Sequence, residues 1–199
     1  MFTNRTSEFV SVRAGHAVAS ERRRVHSWFP ICCLALVLMG VASRAETYKT
    51  LDDALREAFP DAAVTRGTVA LTEAQAARVT ELSDENVDSL LVYPYTATRD
   101  GAVVGTAYFD AHRVRTLPET LMVVVDPSGR VARVEVLAFH EPREYLAPPP
   151  WLERWIGREL NEDLMLRRDV DGITGATLTA RSVTKAVRQI LAIHQALHE

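Results

Sequence analysis

The 199-residue chain reads as one α+β domain behind an export leader, its antiparallel sheet built from two hairpins with flanking helices. Three observations predict this. Two hairpin signals follow one another between residues 90 and 139, helical periodicity lies before and after them, and the first 45 residues have the basic, apolar, small-residue succession of a signal peptide.

Residues 50–59 predict a short helix stopped by Pro60, with Thr50 as cap and Leu51, Ala54, Leu55 and Ala58 on one face. A second helix starts at Thr72, where Thr72 and Gln75 have capping-box spacing ahead of Ala76, Val79 and Leu82. Residues 46–88 are therefore expected to be a helical N-terminal segment. The period then changes to that of strands. Residues 90–95 and 102–109 flank the turn Arg99-Asp100-Gly101, and Pro94 demotes the first of them to an edge. Residues 121–125 and 131–139 flank Asp126-Pro127-Ser128-Gly129. In the last strand Arg133 and Glu135 alternate with Val134 and Val136, which predicts one solvated face. Pro148-Pro149-Pro150 presets a helix carrying Trp151, Leu152, Trp155 and Ile156. A charged loop over 160–170 leads to a closing helix over 179–198, which buries Val183, Ala186, Val187, Ile190, Ile193 and Leu197.

Arg22, Arg23 and Arg24 precede an apolar run over 31–41, and Ser43-Arg44-Ala45 then precede Glu46. That run is well short of the ~20 residues that span a bilayer. Cleavage after Ala45 is the expectation, with an uncleaved leader anchored in the inner membrane as the alternative. The triplet lacks the apolar residues that follow a twin-arginine signal, so export in the unfolded state is expected. Six of the 23 basic and two of the 26 acidic residues precede Glu46, leaving 17 against 24 and a net charge near −7. Such a surface repels nucleic acid and excludes it as a partner. Both cysteines, Cys32 and Cys33, lie in the leader. The rest of the chain therefore has no thiol for a disulfide, an iron–sulfur cluster or a haem link. His194 and His198 stand at ligand spacing, but a helix C-terminus favours histidine anyway and nothing nearby completes a site, so no metal is expected.

The most informative string is Asp171-Gly172-Ile173-Thr174-Gly175-Ala176-Thr177, which runs into the closing helix. Two glycines and an alanine leave little bulk around two hydroxyls. A helix start behind them aims free N–H groups and the positive end of its dipole at whatever binds there, and phosphate is the usual anion. The structural alternative is an ordinary N-cap threonine after an Asp-Gly turn.

Read as D-G-I-T-G-A-T, this string resembles the flavin-attachment motif of the FMN-binding domain family. That family includes small flavinylated subunits of the sodium-pumping NADH:quinone oxidoreductase and of the Rnf complex, as well as stand-alone periplasmic carriers. The resemblance extends over residues 89–197. The hairpin at 120–139 is similar to the family's central one, and Trp151-Leu152-Glu153-Arg154-Trp155-Ile156-Gly157 to the helix before the attachment loop. His140-Glu141-Pro142 stands where some members have a longer H-x-E-T-P-G stretch. The resemblance implies an FMN-binding domain over 89–199 and FMN held covalently by a phosphoester on Thr177. Asp171, Thr174, Gly175 and Ala176 are then the recognition residues, with His140 and Glu141 as further candidates. It also implies a flavin transferase for maturation, a membrane or periplasmic redox partner and a periplasmic location.

A tethered flavin supplies redox chemistry that this side-chain set lacks, and a covalent link holds it outside the cytoplasm. No acid–base cluster accompanies the string, which points to an electron-transfer protein and away from a stand-alone enzyme. The alternatives are a flavin-dependent reductase subunit of a membrane-associated complex and a non-redox exported binding module.

Overall fold

The computed structural model describes residues 46–199, and the leader expected over 1–45 lies outside them. Among the described residues, no helix is long and apolar enough to cross a membrane. The elements run β1 (Glu46–Thr47), α1 (Leu51–Ala58), β2 (Ala63–Arg66), β3 (Val69–Ala70), α2 (Glu73–Ser83), β4 (Leu91–Val92), β5 (Tyr95–Arg99), β6 (Ala102–Arg113), β7 (Pro118–Val125) and β8 (Val131–Phe139). After β8 come α3 (Pro149–Leu152) and α4 (Thr177–His198). Six strands form one antiparallel sheet in the order β1-β8-β7-β6-β5-β2, and β3 pairs with β4 apart from it.

The centre of the sheet is the two expected hairpins, β5–β6 and β7–β8, lying side by side. One strand shifts. The expected strand over 90–95 is split at Pro94, so Leu91–Val92 pairs with Val69–Ala70 while Tyr95–Arg99 pairs with β6. A proline lacks the donor that a continuous ladder needs, and the chain changes sheets there. The segment 46–88 contributes strands as well as helices, since β1 and β2 form the two edges of the large sheet. Both expected caps are present. Thr50 Oγ1 accepts from the Asp53 amide at 3.2 Å, and Thr72 and Gln75 close a capping box.

β7 is buried on both faces. Leu121, Val123 and Val125 meet Val183, Val187 and Ile190 of α4 together with Trp151 and Trp155. Met122 and Val124 turn the other way, toward Leu55 of α1 and Phe59 just after it. Gly105 permits that second contact, because a Cβ there would stand 3.0 Å from the Phe59 ring. The solvated face expected on β8 is accordingly covered. Arg133 and Glu135 join Lys49 and Glu57 in a network of ion pairs beneath α1, with Arg133–Glu135 at 2.8 Å and Lys49–Glu57 at 2.6 Å.

Arg188 secures α4. It is only 5 % exposed, and its guanidinium donates to the carbonyls of Leu82 and Ser83 at the C-terminal end of α2. It also donates to Asn161 and Leu164 in the loop that leads to the attachment string. One cation thus satisfies the last carbonyls of a helix and pins the adjoining loop.

Candidate functional site

The attachment string is held at both ends. The Asp171 carbonyl accepts from the Trp151 indole at 2.7 Å, and the Asp171 carboxylate pairs with Arg154 at 2.7 Å. The buried Trp151 and Trp155 meet edge-on at 5.9 Å, so the Trp pair is core that anchors the loop entrance. The loop exit is fixed by Thr179, whose hydroxyl donates to the Tyr145 carbonyl at 2.6 Å. Between these anchors, residues 173–176 make a tight turn in which the Ala176 amide donates to the Ile173 carbonyl at 3.1 Å. Gly175 takes φ +82° as the third residue of that turn, where a type II geometry needs a positive φ.

α4 begins at Thr177, two residues earlier than the periodicity predicts. Thr177 is therefore the first helical residue, and the N-cap position falls to Ala176, which has no side chain able to cap. This decides against the N-cap alternative for Thr177. The amides of Thr177, Leu178 and Thr179 have no acceptor among the described residues, and nothing hydrogen-bonds the exposed Thr177 hydroxyl. Three unpaired donors on the first turn of a 22-residue helix surround a free hydroxyl. That arrangement suits a phosphate attached at Thr177 Oγ1.

A cavity of about 310 Å³ opens beside it, walled by Val114, Tyr145, Ala176, Leu178 and the loop glycine Gly175, with Arg115 and Glu141 at its edge. Leu178 is 46 % exposed there, an apolar surface without a partner. FMN requires an anion seat and an apolar wall for its ring, and the residues present supply both. Thr177 also lines a second cavity, of about 540 Å³, on the side of Arg167 and Arg181.

The candidates named from sequence divide. Gly175, Ala176, Thr177 and Glu141 line the first cavity, whereas Asp171, Thr174 and His140 line neither. Thr174 is exposed in the turn. His140 is half-buried at the end of β8, its amide donating to the Pro118 carbonyl. Glu141 is buried, and its Oε1 accepts from the amides of Thr116 and Leu117 at 2.6 and 2.8 Å. Those amides hold its carboxyl below the usual value, so it is an anionic brace for the loop between β6 and β7. Sequence reasoning missed Arg115, Tyr145 and Leu178, which lie in loops or at a helix start with no periodicity to read. Arg181 was missed as well, although its place one helical turn beyond Thr177 is a signal that could have found it.

Away from this site, Tyr108 OH and His194 Nδ1 share a hydrogen bond of 3.0 Å, and His198 Nδ1 donates to the His194 carbonyl. Among the described residues, no group of His, Cys, Asp and Glu is arranged to hold a metal ion.

Residues 117–192 match the family model of the FMN-binding domain. That match runs from the start of β7 through the attachment string and most of α4. Among solved structures, the chain is similar to the crystal structure of NqrC from Shewanella oneidensis. That likeness has a TM-score of 0.51 and 17 % identity, covering 74 % of this chain and 89 % of the other. At that identity the likeness speaks for the fold alone: an antiparallel sheet with flanking helices. No curated protein matches the chain. The hairpin β7–β8, the Trp-containing helix, the attachment loop and most of α4 all lie inside the matched segment, so residues 117–192 are similar to the FMN-binding domain family.

Proposed function

We propose that this chain is an exported flavoprotein that carries FMN through a phosphoester on Thr177 and relays electrons between redox partners. The observation that carries the reading is the free, exposed Thr177 hydroxyl on the uncapped first turn of α4, within the segment that matches the FMN-binding domain. The flavin, once attached, supplies the redox chemistry. The chain's own residues hold and orient it. The amides of Thr177, Leu178 and Thr179 receive the phosphate, and Val114, Tyr145 and Leu178 offer apolar surface to the ring. Gly172 and Gly175 have no atom within 4 Å of a would-be Cβ, which leaves the acceptor hydroxyl open to a flavin transferase. No step requires an acid or base from the protein, which supports a relay over a stand-alone enzyme.

Export from the basic and apolar leader places the chain in the periplasm, where a covalent flavin is not lost by dilution. The family resemblance adds a flavin transferase for maturation and a redox partner at the membrane or in the periplasm. The test is denaturing electrophoresis of protein co-expressed with a flavin transferase. The wild-type band should fluoresce as flavin, Thr177→Ser should retain fluorescence and Thr177→Ala should lose it. A dark wild-type band, or a bright Thr177→Ala band, would overturn the reading.

A further inference from the structure

We infer that the second cavity beside Thr177 is a docking site for an acidic protein segment, received by Arg167 and Arg181. The cavity holds about 540 Å³, with Met165 and Leu166 on its walls and Lys185 and the buried Arg188 beyond. Arg167 and Arg181 are exposed, and neither has a carboxylate partner among the described residues. Their neighbours are spoken for. Arg154 pairs with Asp171, Arg158 with Asp169, Arg168 with Asp163 and Lys185 with Glu85. Asp84 and Glu85 also line the cavity, so its cations outnumber its carboxylates.

This cationic patch runs against the charge of the domain, whose residues from Glu46 onward carry 17 basic and 24 acidic side chains. An overall negative body with a basic concavity orients an approaching acidic partner toward that concavity. The shape selects the occupant. A recess with half-buried Met165 and Leu166 in its walls accepts protruding side chains, while a flat anionic bilayer would meet the domain's net negative surface. Thr177 belongs to both cavities, so a segment seated here lies directly against the proposed flavin-bearing residue. The purpose of the contact, bringing a partner's redox centre to the flavin, rests on the function proposed above; the binding itself does not.

The probe is a short poly-glutamate peptide titrated into the isotopically labelled, purified exported protein, both before and after flavin loading. The amides of residues 165–167 and 177–185 should shift in both forms, with affinity falling as salt rises. The pair Arg167→Glu and Arg181→Glu should weaken binding about tenfold, the effect of two exposed ion pairs. Arg56→Glu, a charge reversal on α1 away from the cavity, should leave it unchanged. Shifts spread over other surfaces, equal weakening by Arg56→Glu, or loss of binding on flavin loading would overturn the assignment. So would equally tight binding of phosphatidylglycerol vesicles at the same amides. Whether Thr177 carries flavin is read separately by mass, so failure of one claim does not mask the other.

Discussion

His112 lies between two carboxylates on the α4-facing side of the sheet, with Nδ1 2.6 Å from Asp110 Oδ2 and Nε2 3.1 Å from Glu119 Oε2. Burial by itself would lower its pKa. The hydrogen bonds to Asp110 and Glu119, with their charge, override burial and raise it from 6.5 to about 9. A histidine raised in this way stabilises the fold fully below pH 6.5, and that stability is lost as pH climbs through about 9. At roughly 1.4 kcal/mol per pH unit, the loss across that window is about 3 kcal/mol. Glu119 is fully buried, and desolvation raises its carboxyl, which adds a loss of the same sign with rising pH. Tyr108 and Lys49 are also raised, but from 10.0 and 10.5, above the window. Replacing His112 alone would leave a buried, unpaired Glu119 that itself takes up a proton. The informative variant is therefore His112→Gln with Glu119→Gln. Urea unfolding at about pH 6.5 and about pH 9.5 should show the wild type losing about 3 kcal/mol and the double variant losing less than about 1 kcal/mol. Equal wild-type stability at both pH values, or the same loss in the double variant, would refute the reasoning.

Arg188→Met should destabilise the protein by about 3 kcal/mol in urea unfolding, since it strips the donor from four carbonyls, those of Ser83 and Leu164 in buried bonds and those of Leu82 and Asn161 in partly buried ones. Gly175→Ala should cost about 1 kcal/mol, because its φ of +82° strains a residue with a Cβ even where there is room for one. Gly172→Ala, with open space and no positive φ, should leave thermal stability near wild type. His194 is buried beside Tyr108, and burial, then the neighbouring His198, lower its pKa to about 4. A histidine depressed in this way favours the fold above pH 6.5 and opposes it as pH falls toward 4. Imidazole resonances should show His194 neutral at pH 5; a protonated ring there would contradict its burial.

The central hairpins were legible because residues 121–125 of β7 are an unbroken apolar run and both turns carry their glycine. The capping-box helix was legible for the same local reason, its signal lying in Thr72 and Gln75 themselves. What escaped depends on partners distant in the chain. Ala63–Arg66 is a strand only because it pairs with β5, and the charged face of β8 is covered only because Glu57 of α1 and Lys49 just before that helix arrive over it. A buried arginine such as Arg188 reads as solvated until the carbonyls around it are assembled. The start of α4 was placed late because Ala176 gives no capping signal, and that missing cap is what leaves the Thr177 turn open. At the site, the contiguous string was visible in the sequence. Tyr145, Arg115 and the brace at Glu141 come together only through the ends of β6 and β8.

A phosphoester at Thr177 underlies the proposed relay, and intact mass spectrometry tests for it most directly. The exported protein, made with a flavin transferase present, should be heavier than its polypeptide by one FMN less water. The added mass should map to the peptide bearing Thr177, and Thr177→Ala should lack it. An unmodified wild-type mass despite an active transferase, or the same addition on Thr177→Ala, would contradict it.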